Sequence, residues 1–334
     1  MIFAVESSCD ETSTAVIEAD GSRIGILSCK TASQIDTHKR YGGVVPEIAS
    51  RAHTEAISPL AYAAVAEAGI TLRDVDVVAV TNRPGLIGAL LVGVSFAKAA
   101  AFAYDKPLVG VNHIHGHIAA HYLTGPLKPP FLALVASGGH TSLIDVRGYC
   151  DFVTIGRTRD DACGEAFDKV ARYMGLSYPG GAEMDRLASE GDRNAIKLPS
   201  AAIAGDTLDF SFSGLKTHVI NYINTCEQRK TTYKKEDIAA SFTADVIDSL
   251  IRRIDGGLRL TKYDTVAVSG GVAANSHLRS ALKDYAKLNG LNMFIPPLSL
   301  CGDNAAMIGA QGYYEFRTGN TSDVSLNAYA VQQQ

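Results

Sequence analysis

The chain repeats itself at long range. Ile2-Phe3-Ala4-Val5 leads into the polar turn Glu6-Ser7-Ser8-Cys9-Asp10-Glu11-Thr12, then Thr14-Ala15-Val16-Ile17, an Asp20-Gly21 turn and a run from Arg23 to Ser28. About 130 residues later, Phe131-Leu132-Ala133-Leu134-Val135 leads into Ala136-Ser137-Gly138-Gly139-His140-Thr141, then Ser142 to Val146, a turn at Arg147-Gly148 and Phe152 to Ile155. Short apolar runs broken by turn residues read as a β-meander, and Asp-Gly is a strong hairpin signal. A second echo pairs Asp76–Thr81 with Asp264–Ser269, each followed by a Gly-containing turn and a helical segment. Two matching halves argue for a duplicated α/β fold with a cleft between them. Coincidence between short apolar strands is the alternative.

The intervening segments fill in that plan. Ile48, Ala52, Ala56, Leu60 and Ala64 recur at spacing four within Val44 to Ala68, which predicts a helix. Val75 to Thr81 reads as a buried strand, and Pro84-Gly85 as a turn. Leu86 to Tyr104 is apolar but rich in Gly and Ala and carries Lys98, so it reads as a packed helix rather than a membrane span. Residues 159–230 break the rhythm and read as a mostly helical insertion. The expected domains are 1–125 and 126–334, with the C-terminal helix able to pack back on the first and the tail after Gly319 loosely held.

Composition excludes several classes. With 334 residues, 46% of them hydrophobic and 20% charged, the chain is globular and long enough for two cores. A net charge of −4 argues against a broad basic surface for nucleic acid but leaves room for local patches such as Arg229 to Lys235. The six cysteines show no C-x-x-C spacing and read as reduced thiols. The N-terminus has no basic region and no small-residue cleavage site, so a cytoplasmic chain with no membrane partner is expected.

The sharpest chemical signal is His113-Ile114-His115-Gly116-His117. On a helix, His113 and His117 share one face and can share a metal, and His121 continues that face. A solvated histidine-rich helix start is the plainer alternative. A zinc protease needs H-E-x-x-H, and the base position here holds Ile114, so that activity is not supported. Asp303 is the best-placed third ligand, unless it merely caps the helix predicted for Ala305–Phe316. Two imidazoles and a carboxylate suit Fe(II) or Zn(II).

Three small-residue turns form a second signal: Ala136-Ser137-Gly138-Gly139, Tyr178-Pro179-Gly180-Gly181 and Ser269-Gly270-Gly271. Two of them follow strands directly, where backbone N–H groups can approach a phosphate, so a nucleotide site is expected. Neither G-x-x-x-x-G-K-[ST] nor G-x-G-x-x-G is present. Glu6, Asp10 and Glu11 could hold a magnesium ion, orient a nucleophile, or simply cap turns. Asp168 and Asp185 could accept from ribose hydroxyls or lie on solvated helix faces.

Taken in order, Glu6-Ser7-Ser8-Cys9-Asp10-Glu11-Thr12, Tyr41-Gly42-Gly43-Val44-Val45-Pro46-Glu47, Pro84-Gly85-Leu86, His113…His117, Ser137-Gly138-Gly139-His140-Thr141, Gly164-Glu165-Ala166-Phe167-Asp168-Lys169, Tyr178-Pro179-Gly180-Gly181, Phe210-Ser211-Phe212-Ser213-Gly214-Leu215-Lys216-Thr217 and Ser269-Gly270-Gly271-Val272…Asn275 resemble one family. It is the bacterial tRNA N6-adenosine threonylcarbamoyltransferases, TsaD, once called glycoproteases. The likeness runs from residue 1 to about 318. It implies an actin/Hsp70/sugar-kinase-like fold of two duplicated ribonuclease-H-like domains around a central nucleotide cleft. The implied activity is transfer of threonylcarbamoyl from threonylcarbamoyl-AMP to N6 of adenosine 37 in tRNAs reading codons that start with A. The resemblance puts the metal, Fe(2+) before Zn(2+), on His113, His117 and Asp303. It puts the adenylate against Val135, Ala136, Ser137, Gly138, Gly139, Asp168, Gly181, Asp185 and Asn275, with Mg(2+) as a companion of the nucleotide. It marks Asp10 and Glu11 as important to activity. Archaeal and eukaryotic relatives carry Asn and Tyr where this chain has His140 and Val135, so the likeness is to the bacterial type. His115 and His121 depart from the usual pattern and receive no role. Implied partners are tRNA, a smaller paralogous TsaB-like subunit on the first domain, and a TsaE-like P-loop ATPase.

Two rivals share the fold: an ATP-dependent small-molecule kinase and a non-catalytic nucleotide-binding scaffold. The histidine pair separates the first, because such a kinase holds Mg(2+) on carboxylates.

Overall fold

In a computed structural model the described residues are 1–21, 23–198 and 207–331, so residues 199–206 of the expected insertion and the last three residues lie outside the description. The chain divides into two compact units, Met1–Lys128 with Gly302–Gln334, and Pro129–Cys301.

In the first unit, β1 (Ile2–Glu6), β2 (Glu11–Ala19), β3 (Ile24–Ser33), β4 (Val77–Arg83) and β5 (Leu108–Asn112) form one sheet in the order β3-β2-β1-β4-β5. The meander β1–β3 is antiparallel, while β4 and β5 run parallel to β1. The helices are α1 (Ile35–Lys39), α2 (Pro46–Glu67), α3 (Ile87–Tyr104) and α4 (His113–Ala119), with α10 (Ala305–Arg317) contributed from the far end of the chain.

Every residue of β1 is buried, because helices cover both faces of the sheet. Phe3, Val5, Val16, Val78 and Val80 form one core with Ile57 of α2 and Leu90 and Val94 of α3. Each such side chain contributes about 1.5–3 kcal/mol on burial. The alternate residues Ala4, Ile17 and Ala79 lie under Gly309 and Gly312 of α10, whose missing side chains let that helix sit close. That packing ends the second unit at Cys301, where the sequence boundary had run to 334. Among the described residues, α3 alone is long and apolar enough to cross a membrane by length and composition. Its small residues Ala89, Gly93, Ala97 and Ala101 are buried within the unit.

The second unit repeats the plan. β6 (Phe131–Ala136), β7 (Thr141–Gly148), β8 (Asp151–Arg157), β9 (Thr265–Ser269) and β10 (Asn292–Phe294) lie in the order β10-β9-β6-β7-β8. β6–β8 are antiparallel, and β9 and β10 run parallel to β6. Strand for strand, this is the first sheet again. α5 (Cys163–Tyr173), α6 (Gly180–Ala188), α7 (Ser213–Arg229), α8 (Lys235–Thr261) and α9 (Ser276–Asn289) complete the unit.

Asp161, just before α5, ties that helix to α7 through Lys169 at 2.7 Å and Lys216 at 2.6 Å. Burial alone would raise its carboxyl, but hydrogen bonds from Lys169, Lys216 and Ser213 hold it below the usual value. The stability it contributes is therefore present above the unfolded value of 3.8 and lost as pH falls through the lower folded value. Asp161→Asn is expected to lower the melting temperature at pH 7 and to have little effect near pH 2. An equal loss at both pH values would contradict this.

Candidate functional site

Asn112 ends β5 and caps α4, its side chain accepting the Ile114 N–H at 2.8 Å. The helix that follows therefore starts at His113. His113 and His117 project from one face, with ring centroids 4.6 Å apart and planes crossed at 75°. Both are buried, which leaves no room for the solvated helix start. Their third neighbour arrives through α10. A Cβ on Gly116 would meet Ile308 Cδ1 at 2.6 Å, so a glycine at this position lets α10 pack against α4. The N-terminus of α10 is also tied to β2, the Ala305 N–H donating to Ser13 Oγ at 2.9 Å.

The cap of α10 is Asn304, whose side chain accepts from Met307 N–H at 3.0 Å. Asp303 thus has no capping duty. Its Oδ1 lies 3.5 Å from His113 Nε2 and 3.3 Å from His117 Nε2. Donors bound about 2.1 Å from a tetrahedral metal sit roughly 3.4 Å apart, so the spacing suits a shared ion. His117 is fully buried, yet neither ring nitrogen has a hydrogen bond of good geometry. A buried imidazole without a hydrogen bond is costly unless it has another partner. Among the described residues, His113, His117 and Asp303 form the one group of such side chains close enough to hold a metal, and neither His115 nor His121 joins it.

Behind His113 sits Glu6, fully buried at the end of β1. It accepts the Ser8 N–H at 2.5 Å and the Thr81 hydroxyl at 2.6 Å, and its Oε2 lies 3.0 Å from His113 Nδ1. A carboxylate on Nδ1 fixes the ring so that Nε2 faces the site, the outer-shell arrangement common to metal-binding histidines. Glu6 had been legible only as part of an acidic turn. Its role needs a residue far along the chain, and no local spacing signals it.

The electrostatics favour a cation. Burial disfavours a charge on His113, but Asp303 and Glu6 outweigh it and lift the imidazole to about 9. Burial keeps His117 below its usual value, and hence neutral. Burial, followed by Asp303 and Asp10, pushes Glu11 up to about 8; burial and Asp303 also raise Asp10. Four carboxylates, Glu6 buried and Asp10, Glu11 and Asp303 partly buried, gather around two buried imidazoles, a concentration of negative charge that favours a positive ion. Burial and the neighbouring carboxylates raise the Cys9 thiol well above its usual range, so it is no nucleophile. Burial and Arg83 press His115 down to about 3.

In the second unit, the expected adenylate residues fall on three connected turns. Val135 and Ala136 are fully buried in β6, so they have only main chain to offer; Ser137 is buried too, and the open part of the turn begins at Gly138. At Gly138 and Gly139 an added Cβ would meet nothing within 4 Å, leaving bare backbone facing open space. Gly270, at φ +91°, lies so close behind that a Cβ would meet the Ala136 carbonyl oxygen at 2.3 Å. Asp168 accepts the Gly180 N–H at 2.7 Å and so sets the turn into Gly181. Asp185 accepts the Ser276 N–H at 3.0 Å and its hydroxyl at 3.1 Å, while Asn275 caps α9 by accepting from Leu278 N–H. These acids bind the framework, which the open alternatives of ribose contact and solvated face did not include. Glycine backbone beside capped helix starts suits a phosphate-bearing ligand.

Residues 25–310 match the profile of the family described as TsaD: tRNA N6-adenosine threonylcarbamoyltransferase. A protein of that name from Clostridium botulinum (strain Kyoto / Type A2) is 51% identical over 328 residues, covering 98% of this chain and 96% of its own length. One from Clostridium beijerinckii is 50% identical over 329 residues, with the same coverage. Among solved structures, full-length HypF in its phosphate- and nucleotide-bound form superposes with TM-score 0.62 at 15% identity, over 99% of this chain and 47% of that one. The activator of 2-hydroxyisocaproyl-CoA dehydratase from Clostridium difficile, with bound ADPNP, gives 0.51 at 14% identity and 96% coverage of both chains. These likenesses show the actin/Hsp70-like fold that the family resemblance implies, in agreement with the repeated halves. With most of its length matched and half of its residues identical to curated relatives, the chain belongs to the TsaD family of tRNA N6-adenosine threonylcarbamoyltransferases.

Proposed function

We propose that the chain moves the threonylcarbamoyl group of threonylcarbamoyl-AMP to N6 of adenosine 37 in tRNAs reading codons that start with A, and that it does so in the cytoplasm. The observation that carries this reading is the cluster of two buried imidazoles, His113 and His117, with the Asp303 carboxylate 3.5 and 3.3 Å from their Nε2 atoms, in a member of this family. His113, His117 and Asp303 would hold a divalent ion, Fe(II) before Zn(II), which would supply Lewis acidity to the threonylcarbamoyl end. Glu6 keeps His113 Nε2 aimed at Asp303. Asp10 or Glu11 takes up the one N6 proton as the new N–C bond forms. The bond from the carbamoyl carbon to the phosphate oxygen breaks, and AMP leaves with the electron pair. The turns at Ser137-Gly138-Gly139 and Gly181, set by Asp168, Asp185 and Asn275, hold the AMP part, whose single phosphate would be accompanied by Mg(2+), and Val135 and Ala136 act through main chain. The test is incubation of the chain and its partner subunits with unmodified tRNA, threonine, bicarbonate, ATP and the enzyme that makes the adenylate, followed by nucleoside analysis. Threonylcarbamoyladenosine supports the reading; AMP release with no modified nucleoside, or a phosphorylated metabolite formed from ATP, overturns it.

Gly270→Ala probes the adenylate turns. The added methyl strikes the Ala136 carbonyl at a backbone angle that disfavours any side chain. KM for threonylcarbamoyl-AMP is expected to rise by about tenfold or more with metal content unchanged, consistent with about 1–3 kcal/mol of strain. An unaltered KM would detach these turns from the adenylate.

A smaller paralogous subunit is assigned to the first unit. The outward side of α2 and α3 leaves Tyr62 77% and Phe102 80% exposed, with Ile87 and Leu91 also exposed, an apolar surface of the kind that marks a protein contact. Phe102→Glu is expected to abolish co-elution with that subunit while leaving the chain folded. Undiminished co-elution would move the contact elsewhere. A P-loop ATPase joins this assembly, and tRNA also meets basic patches such as Arg229–Lys235, at the junction of α7 and α8.

A further inference from the structure

The turn that carries Asp10 and Glu11 is braced from behind by two buried histidines. His53 donates from Nε2 to the Cys9 carbonyl at 3.0 Å and holds the Thr12 hydroxyl at Nδ1 at 2.7 Å. His38 reaches the same turn through Gln34, whose N–H donates to the Asp10 carbonyl at 3.0 Å and whose side-chain oxygen lies 3.2 Å from His38 Nε2. His38 Nδ1 accepts the Val45 N–H at 3.4 Å, so its Nε2 carries the proton. His38 is also the hub of the loop that follows α1. Its carbonyl accepts the N–H groups of Tyr41 at 2.9 Å and Gly43 at 3.4 Å. The loop Arg40–Val44 is thus fastened at its base, through one side chain, to the segment bearing the candidate proton acceptors.

The tip of this loop is built differently from its base. Tyr41 is 58% exposed. Arg40 is exposed and has no ion pair among the described residues. Gly42 takes φ +69°, and beside Gly43 an added Cβ would meet nothing within 4 Å. An exposed aromatic ring next in sequence to an exposed guanidinium and to two glycines is a set of groups able to stack an unpaired base and contact its phosphate. The adenosine to be modified lies in such an unpaired loop.

We infer that Arg40–Val44 is a receiving surface for the substrate's anticodon loop, with Tyr41 stacking on a base next to the reacting adenosine and Arg40 contacting a phosphate. This rests on the transferase reading above. Tyr41 and Arg40 act here as positioning residues: they touch the RNA near the reacting atoms and take no part in bond making.

The chain contains no tryptophan, so Tyr41→Trp installs a single reporter. Adding a synthetic anticodon stem-loop is expected to quench its fluorescence, and a fully paired duplex of equal charge is expected not to. In transfer assays, Tyr41→Ala should raise KM for tRNA roughly tenfold with kcat held within about twofold, and Tyr41→Phe and Tyr41→Trp should restore it. Arg40→Ala should lower the salt dependence of that KM by about one ion. Unquenched tryptophan, or an Ala variant with unaltered KM, overturns the inference while leaving the transferase reading in place. Loss of kcat with KM unmoved also overturns it, by showing a disturbed centre rather than a lost RNA contact. If the unaltered chain, assayed with its partner subunits, modifies no tRNA, both readings fall.

Discussion

Replacing His113 and His117 together by alanine is expected to leave a folded chain that holds no divalent ion and transfers no threonylcarbamoyl. Loss of one outer-shell partner typically weakens a metal site 10–100-fold, so loss of two direct ligands should weaken it well over about 100-fold. The fold should survive, because His117 makes no hydrogen bond of good geometry that alanine would remove. The largest structural loss is the contact of His113 with Glu6 at 3.0 Å, and single variants separate that effect. His117→Ala should lose the ion while melting close to the unaltered chain; His113→Ala should lose the ion and melt lower. Elemental analysis of protein purified without air or chelator reads the ion, and nucleoside analysis reads transfer. Full transfer by a metal-free double variant would remove the centre from the reaction.

The parts of this site that were legible in the sequence are those whose partners lie within one turn of helix or at the end of one strand. His113 and His117 announce a shared face because four residues of helix bring side chains into register. The repeated meanders were legible because each strand is an apolar run bounded by turn residues. β5 was not, since Leu108-Val109-Gly110-Val111 is short and interrupted by glycine. Nor was β10, three residues pairing only with β9. Asp303 could be read either as ligand or as cap, because both uses favour a short carboxylate before a helix. Only the side chain of Asn304 on the Met307 amide decides between them. Likewise, nothing near Asp168 or Asp185 says that they clamp Gly180 and Ser276, since those contacts join separate helices.

Glu6→Gln is the sharper test of how the centre is held. Glu6 is charged: burial works against its ionised form, but His113 and the Thr81 hydroxyl hold its carboxyl below the usual value. It serves two donors, Ser8 N–H and Thr81 O–H, together with His113 Nδ1. Glutamine keeps the shape but has one acceptor oxygen, and its amide N–H groups would face donors. Removing one member of a buried charged pair costs about 3–5 kcal/mol, so the metal-free chain should unfold at clearly lower denaturant. The ring of His113 then loses the group that aims Nε2 at Asp303, and ion affinity should fall about 10–100-fold. Because the loaded chain is stabilised by its bound ion, the stability gained on adding metal should shrink in step with that affinity. A purely structural Glu6 would lower the stability of free and loaded chains equally and leave chelator competition unmoved. Two losses in parallel, in stability and in affinity, are the result expected of a carboxylate that orients a metal-binding imidazole.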